Sequence, residues 1–126
     1  MTTPGLFELQ ARFCQAMSQP ARVQIVHRLQ DGPCLARELS QAIGLSQTSL
    51  SRHLALLRTN GIVVAHRDGQ HIVYELTSPK IAAICDSMRQ VLSEQVAHQA
   101  EIARALDQPS PAPSDEGWQE DTGSGR

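Results

Sequence analysis

Aromatic residues are scarce in this chain of 126 residues: Phe7, Phe13, Tyr74 and Trp118 are the whole set. Any core is therefore aliphatic, built from Leu, Ile, Val and Ala, and the length suits one domain. Cysteine is scarce too. Cys14, Cys34 and Cys85 are an odd, widely spaced set, which argues against a disulfide scaffold and for a reducing cytoplasm. No apolar run is long enough to span a bilayer. Met1-Thr2-Thr3-Pro4-Gly5 lacks the charged and apolar regions of a secretory signal. A Gly-rich phosphate loop, a nucleophile elbow and paired carboxylates are all missing, so enzyme chemistry is not expected. There is no internal repeat.

Acid is missing from one place in particular. Between Glu38 and Asp68 there is no Asp or Glu, while Arg52, His53, Arg58, His66 and Arg67 all lie there. The formal net charge of −2 hides this split. Residues 107–126 carry Asp107, Asp115, Glu116, Glu120 and Asp121 against Arg126 alone, whereas residues 1–106 carry a small positive excess. The positive charge is thus concentrated in the acid-free segment, the electrostatic footprint of a nucleic-acid binder, and the acidic tail is read as solubilising.

Within the acid-free segment, Gly44 to Arg58 predicts a sharp turn followed by an amphipathic helix. Ser46 suits the N-cap. Leu50, Leu54 and Leu57 recur at helical spacing and predict a buried stripe. Gln47, Thr48, Ser51, Arg52, Ala55, Arg58 and Thr59 fall on the other side. Hydroxyls, an amide and arginines, with no acid among them, suit a helix lying in a major groove. A polar surface helix of no special use is the plain alternative, and the surrounding elements decide between them.

Leu6 to Met17 predicts a first helix, with Leu6, Leu9, Phe13, Ala16 and Met17 as its stripe and Phe7 and Cys14 widening it. A stripe that wide predicts burial on two sides. Ser18-Gln19-Pro20 breaks it, and Ala21 to Gln30 forms a second helix burying Val23, Val26 and Leu29 or their neighbours Ile25 and Ala21. Asp31-Gly32-Pro33 is a stop. Cys34 to Ile43 predicts a short third helix with Leu35, Leu39, Ala42 and Ile43 inward, ended by Gly44 in a left-handed conformation. Two short helices joined through a Gly turn make a helix-turn-helix, whose second helix reads DNA.

Asn60-Gly61 closes that helix. Ile62–Arg67 and His71–Leu76 alternate, with Ile62, Val64 and His66 on one face and Ile72, Tyr74 and Leu76 on one face. Asp68-Gly69 between them is a hairpin signal. A hairpin in this place is a wing, with Arg67, Gln70 and His71 at its tip within reach of DNA; a solvated hairpin tip is the plainer alternative. Ser78 and Pro79 then start a last helix reaching about residue 106, with Ile81, Ile84, Met88, Val91, Leu92, Val96, Ile102 and Leu106 as its stripe. A domain this small cannot cover it, so pairing with a second copy is expected, together with the first helix. Residues 107–126, rich in Pro, Ser and acid, read as a disordered tail with Trp118 solvated.

The fold class is thus mainly α with a β-hairpin wing. Pro20-Ala21-Arg22, Asp31-Gly32, Glu38-Leu39, Gly44-Leu45-Ser46-Gln47, Ser51-Arg52-His53-Leu54, Leu57-Arg58, Gly61-Ile62-Val63, Arg67-Asp68-Gly69-Gln70 and Tyr74-Glu75-Leu76 together resemble the ArsR/SmtB family of winged-helix transcriptional repressors, over roughly residues 6–100. The resemblance implies a homodimer through the first and last helices, bound to an inverted-repeat operator on double-stranded DNA and released by an inducer. It implies base contacts from Gln47, Thr48, Ser51 and Arg52. The residue at His53 borders the buried stripe, where a structural role competes with a DNA contact.

Zinc-binding members carry Asp-x-His and His-x-x-Glu on the last helix; here Ser78-x-Lys80 and Val91-x-x-Glu94 stand there, so that site is not expected. Members with Cys-x-Cys on the third helix have thiols where Leu35 and Arg37 stand here, with Cys34 one residue early. Cys14, Cys34 and Cys85 remain as candidate inducer thiols for arsenite, a soft metal ion or a redox or sulfur species. Cys14 and Cys85 lie on or beside apolar stripes, where burial as small hydrophobes competes with sensing. Cys34, read as a helix N-terminus beside a Gly-Pro turn, is expected to have a lowered pKa if exposed. His27 is expected to pack, and His66 and His71 to oppose each other across the hairpin; His98 with Glu94 or Glu101 is a candidate surface metal site, for which a solvated helix face is the plainer alternative. A constitutive repressor, one answering an organic inducer, and a winged-helix protein–protein module remain as alternatives.

Overall fold

The computed structural model describes residues 3–107. The tail expected beyond them, with Trp118, lies outside the described residues. The chain divides into two units, one through Arg89 and a second from Gln90.

The first unit opens with α1, Leu6–Ala16, and α2, Pro20–Leu29. Glu8 turns back to accept the Gly5 amide at 2.8 Å, closing the first turn of α1. Pro20 sits at the start of α2, where its missing N–H costs nothing. Next come the two-residue strand β1, Cys34–Leu35, and α3, Ala36–Ile43. The third helix is therefore shorter than expected, because Cys34 and Leu35 pair with a later strand instead of starting it. Glu38 accepts the Leu35 amide at 2.8 Å and fixes the true start. Gly44 ends α3 at φ 80 and ψ 32, a conformation any side chain would strain.

Helix α4, Gln47–Thr59, follows the three-residue turn Gly44-Leu45-Ser46. The antiparallel pair β2, Val63–Asp68, and β3, His71–Leu76, forms the wing. Strand β1 pairs on the other edge of β3, giving the order β1-β3-β2. Gly69 makes the turn at φ 66. Helix α5 runs from Pro79 to Asp107 and crosses the unit boundary.

The core of the first unit is aliphatic. Ile25, Val26, Leu29, Leu39, Leu50, Leu54, Leu57, Ile62 and Val63 are buried, joined by Ala16, Ile81, Cys34 and Cys85. Each fully buried Leu or Ile contributes about 1.5–3 kcal/mol. Several expected positions differ. Ala42 and His27 are exposed, so His27 does not pack. Cys14 is exposed, while Cys34 and Cys85 are buried. On β2 the inward residues are Val63 and Ala65, and Val64 and His66 point out. Gly61, at φ 73, and the Ile62 amide bonded to the Leu57 carbonyl spend one residue on the turn, which shifts the strand's alternation.

Candidate nucleic-acid interface

Helix α4 is set by local chemistry at both ends. The Ser46 hydroxyl accepts the Ser49 amide at 3.1 Å, satisfying one orphan N–H of the first turn. The Ser40 hydroxyl donates to the Leu45 carbonyl at 2.5 Å and pins the linker. At the far end Thr59 Oγ1 donates to the Ala55 carbonyl and Asn60 Nδ2 to the Leu56 carbonyl, both at 2.9 Å. Leu50, Leu54 and Leu57 are buried as their spacing predicts. Gln47, Thr48, Ser51, Arg52, Ala55, Arg58 and Thr59 are all exposed. The seven residues read from spacing as an outer face are thus brought onto one free face.

Between α4 and β2 runs a groove of about 460 Å³ lined by Ala55, Arg58, Thr59, Val63, Val64 and Ala65. Arg67, Gln70 and His71 are exposed at the wing tip. Register places Arg67 opposite Ile72 and His71 opposite Asp68, so the two basic residues stand on alternate faces of the ribbon. His66 faces Val73, not His71. The expected histidine pair does not form; His66 Nδ1 lies 3.4 Å from Glu75 Oε1 instead. A carboxylate thus accompanies the basic residues on this strand pair.

The thiols differ in exposure: Cys14 is exposed, and Cys34 and Cys85 are buried. Burial pushes the Cys34 thiol up, against Arg28, which lowers it; Glu38 and Asp31 add to the rise. The expectation of a lowered pKa at a helix N-terminus fails because Cys34 is strand, not helix, and is buried. Burial also raises the Cys85 thiol, with Arg89 opposing and Asp86 assisting. Among the described residues no three of His, Cys, Asp and Glu are grouped to hold a metal ion.

One pair escaped sequence reasoning. Arg22 Nη1 lies 3.3 Å from His53 Nδ1, at the edge of the stripe on α4. No local spacing pattern links residues so far apart in sequence.

A helix-turn-helix with a wing and an acid-free outer face invites comparison with known regulators. The model of bacterial regulatory proteins of the arsR family matches residues 19–64. The HTH-type transcriptional regulator Rv0081 of Mycobacterium tuberculosis is 32% identical over 107 residues, covering 84% of this chain and 94% of that protein. The chain belongs to the ArsR family. As an ArsR-family regulator it also resembles solved structures. The crystal structure of Rv0081 matches with a TM-score of 0.70 at 31% identity, covering 78% of this chain and 99% of that one. A homodimeric winged helix-turn-helix DNA-binding domain from Mycobacterium bovis matches with a TM-score of 0.69 at 25% identity, covering 78% and 95%. The transcriptional repressor BigR from Xylella fastidiosa matches with a TM-score of 0.63 at 33% identity, covering 68% and 87%. Among the described residues no helix of this ArsR-family chain is long and apolar enough to cross a membrane.

Proposed function

We propose that this ArsR-family chain is a sequence-specific transcriptional repressor that works as a homodimer on an inverted-repeat operator. The observation that carries this is the outer face of α4: exposed, acid-free, and held by a capped start and a buried leucine stripe. Gln47, Thr48, Ser51 and Arg52 take the base edges, and Arg58 with Arg67, Gln70 and His71 takes phosphates and the flanking groove. The repressor among its structural relatives supports the direction of control.

Dimerisation is supported by apolar surface. On α1, Phe7 is 88% and Leu6 80% exposed, and Ile84, Met88, Val91, Leu92, Val96 and Ile102 are exposed on α5. Apolar surface in such quantity marks an interface. A twofold dimer presents two recognition helices about one DNA turn, roughly 34–36 Å, apart, and so selects a palindrome. Release is assigned to a thiol-reactive inducer such as arsenite, a soft metal ion or a sulfur species, and the exposure of Cys14 in the single chain, against the burial of Cys34 and Cys85, favours Cys14 as its target.

The test is a binding titration over a range of salt concentrations, on the duplex the protein enriches from a random-sequence pool. Several phosphate contacts give a steep loss of affinity with salt; a flat profile favours a protein–protein module instead. Sedimentation of Phe7→Glu tests the dimer, which is expected to fall to monomer. Adding arsenite, Cd²⁺, polysulfide or peroxide to the bound complex, with Cys14→Ser as control, tests release. No response to any of them leaves a constitutive repressor or an organic inducer.

A further inference from the structure

Arg22 is buried, with 7% of its surface exposed. Among the described residues no carboxylate pairs with it. A cation taken out of water costs several kcal/mol unless its N–H groups are satisfied, so its partners disclose its purpose. Nε donates to the carbonyl of Ala16 at 2.5 Å. Ala16 is the last residue of α1, where unbonded carbonyls carry the negative end of the helix dipole. That helix end stands in for the missing carboxylate. The other contact is Nη1 to His53 Nδ1 at 3.3 Å. A guanidinium has no acceptor, so Nδ1 accepts and the ring proton sits on Nε2.

One side chain therefore ties the end of α1, the start of α2 and the margin of α4. His53 lies between outward Arg52 and inward Leu54, at the boundary between the DNA face and the core. Leu50, Leu54 and Leu57 hold α4 to the core, but apolar burial is non-directional. It fixes depth better than rotation about the helix axis. A hydrogen bond at the helix margin fixes rotation, and side chains in a binding constellation need holding to about 10–20°. Lysine would not serve, because the planar fork donates in two fixed directions at once.

We propose that Arg22 and His53 are positioning residues that set the rotation of the recognition helix against α1 and α2, and so set how well the protein tells its operator from other DNA. This role presupposes the operator grip proposed above. Phosphate attraction tolerates a small rotation of α4, whereas base-edge contacts do not. The signature is a loss of discrimination with non-specific affinity unchanged.

The probes are the duplex that the wild-type chain enriches from a random-sequence pool and a scrambled duplex of the same composition. If the wild-type chain enriches no sequence, the operator grip itself fails before any variant is compared. With the grip in hand, His53→Leu and Arg22→Lys are expected to weaken the enriched duplex about tenfold and leave the scrambled one unchanged. His53→Asn places an amide oxygen where Nδ1 stood and is expected to stay within about threefold of wild type. Circular-dichroism melts identify the variants that fold, and one folded variant of the first pair is enough to decide. Wild-type discrimination in it, equal loss on both duplexes, or no rescue by His53→Asn overturns the proposal. Unfolding of both does too, since the pair would then be a fold requirement.

Discussion

The Ser46 hydroxyl accepts the backbone N–H of Ser49 at 3.1 Å, two residues after Gly44 turns the chain at φ 80. This bond starts the recognition helix at a defined residue. Ser46→Ala removes the acceptor and is expected to cost about 1 kcal/mol of stability. Urea denaturation followed by circular dichroism measures it. A change in midpoint too small to resolve means the helix start is held by the Ser40–Leu45 bond alone.

Arg52 stands in the middle of the exposed face of α4. Arg52→Ala is expected to weaken binding to the enriched duplex by about tenfold or more, since a bidentate base contact is worth about 1–3 kcal/mol. The sedimentation of the protein should not change, because the apolar surfaces of α1 and α5 are untouched. Unaltered affinity would mean that a different face of the domain meets DNA.

The three thiols should react at very different rates. Cys14 is exposed, whereas Cys34 and Cys85 are buried with thiols pushed above their ordinary range. The thiolate is the reactive form, so burial and a raised pKa act together. A maleimide pulse on the folded Phe7→Glu monomer, in which no partner covers α1, is expected to label Cys14 and spare the other two when read by peptide mass. Full denaturation should expose all three equally. Fast native labelling of Cys34 would restore it as the candidate sensor.

What the sequence displayed well was whatever depends on neighbours a few residues away. The leucine stripe at 50, 54 and 57, the Gly44 turn and the Ser46 cap are all local, and each stands where its spacing placed it; the hairpin forms too, but Asp68 pairs with His71 and the two turn residues are Gly69 and Gln70. What it hid depends on partners far along the chain. Cys34-Leu35 looked like the start of a helix, and only pairing with Tyr74 and Val73 makes it a strand. That same pairing buries a thiol that would have been exposed at a helix end. The inward face of β2 slipped by one residue because Gly61 and Ile62 complete a turn. The Arg22–His53 bond joins two helices with no shared periodicity, so nothing in either helix announced it. The outer face of α4 was legible as a surface because its seven side chains follow the periodicity of a single helix.

His53 also gives a pH dependence whose sign follows from its surroundings. Burial lowers its pKa, and the charges of Arg22 on α2 and Arg52 on its own helix lower it further. In the unfolded chain the ring returns to about 6.5. Between the folded and unfolded values the unfolded state therefore binds more protons, and stability rises with pH. The stabilisation from neutral His53 is whole above the unfolded value and is lost as pH falls from there through the folded value. Protonation turns Nδ1 from acceptor to donor facing a guanidinium, so the bond to Arg22 breaks in the same window. Urea melts at a series of pH values from about 7.5 down to 5 test this, with the non-titrating His53→Asn chain as reference. The wild type is expected to lose stability relative to the variant as pH falls, and the two should run parallel above the unfolded value. A constant difference across the whole range would show that the ring does not titrate between the two states, and with it the acid sensitivity assigned to the recognition helix would go.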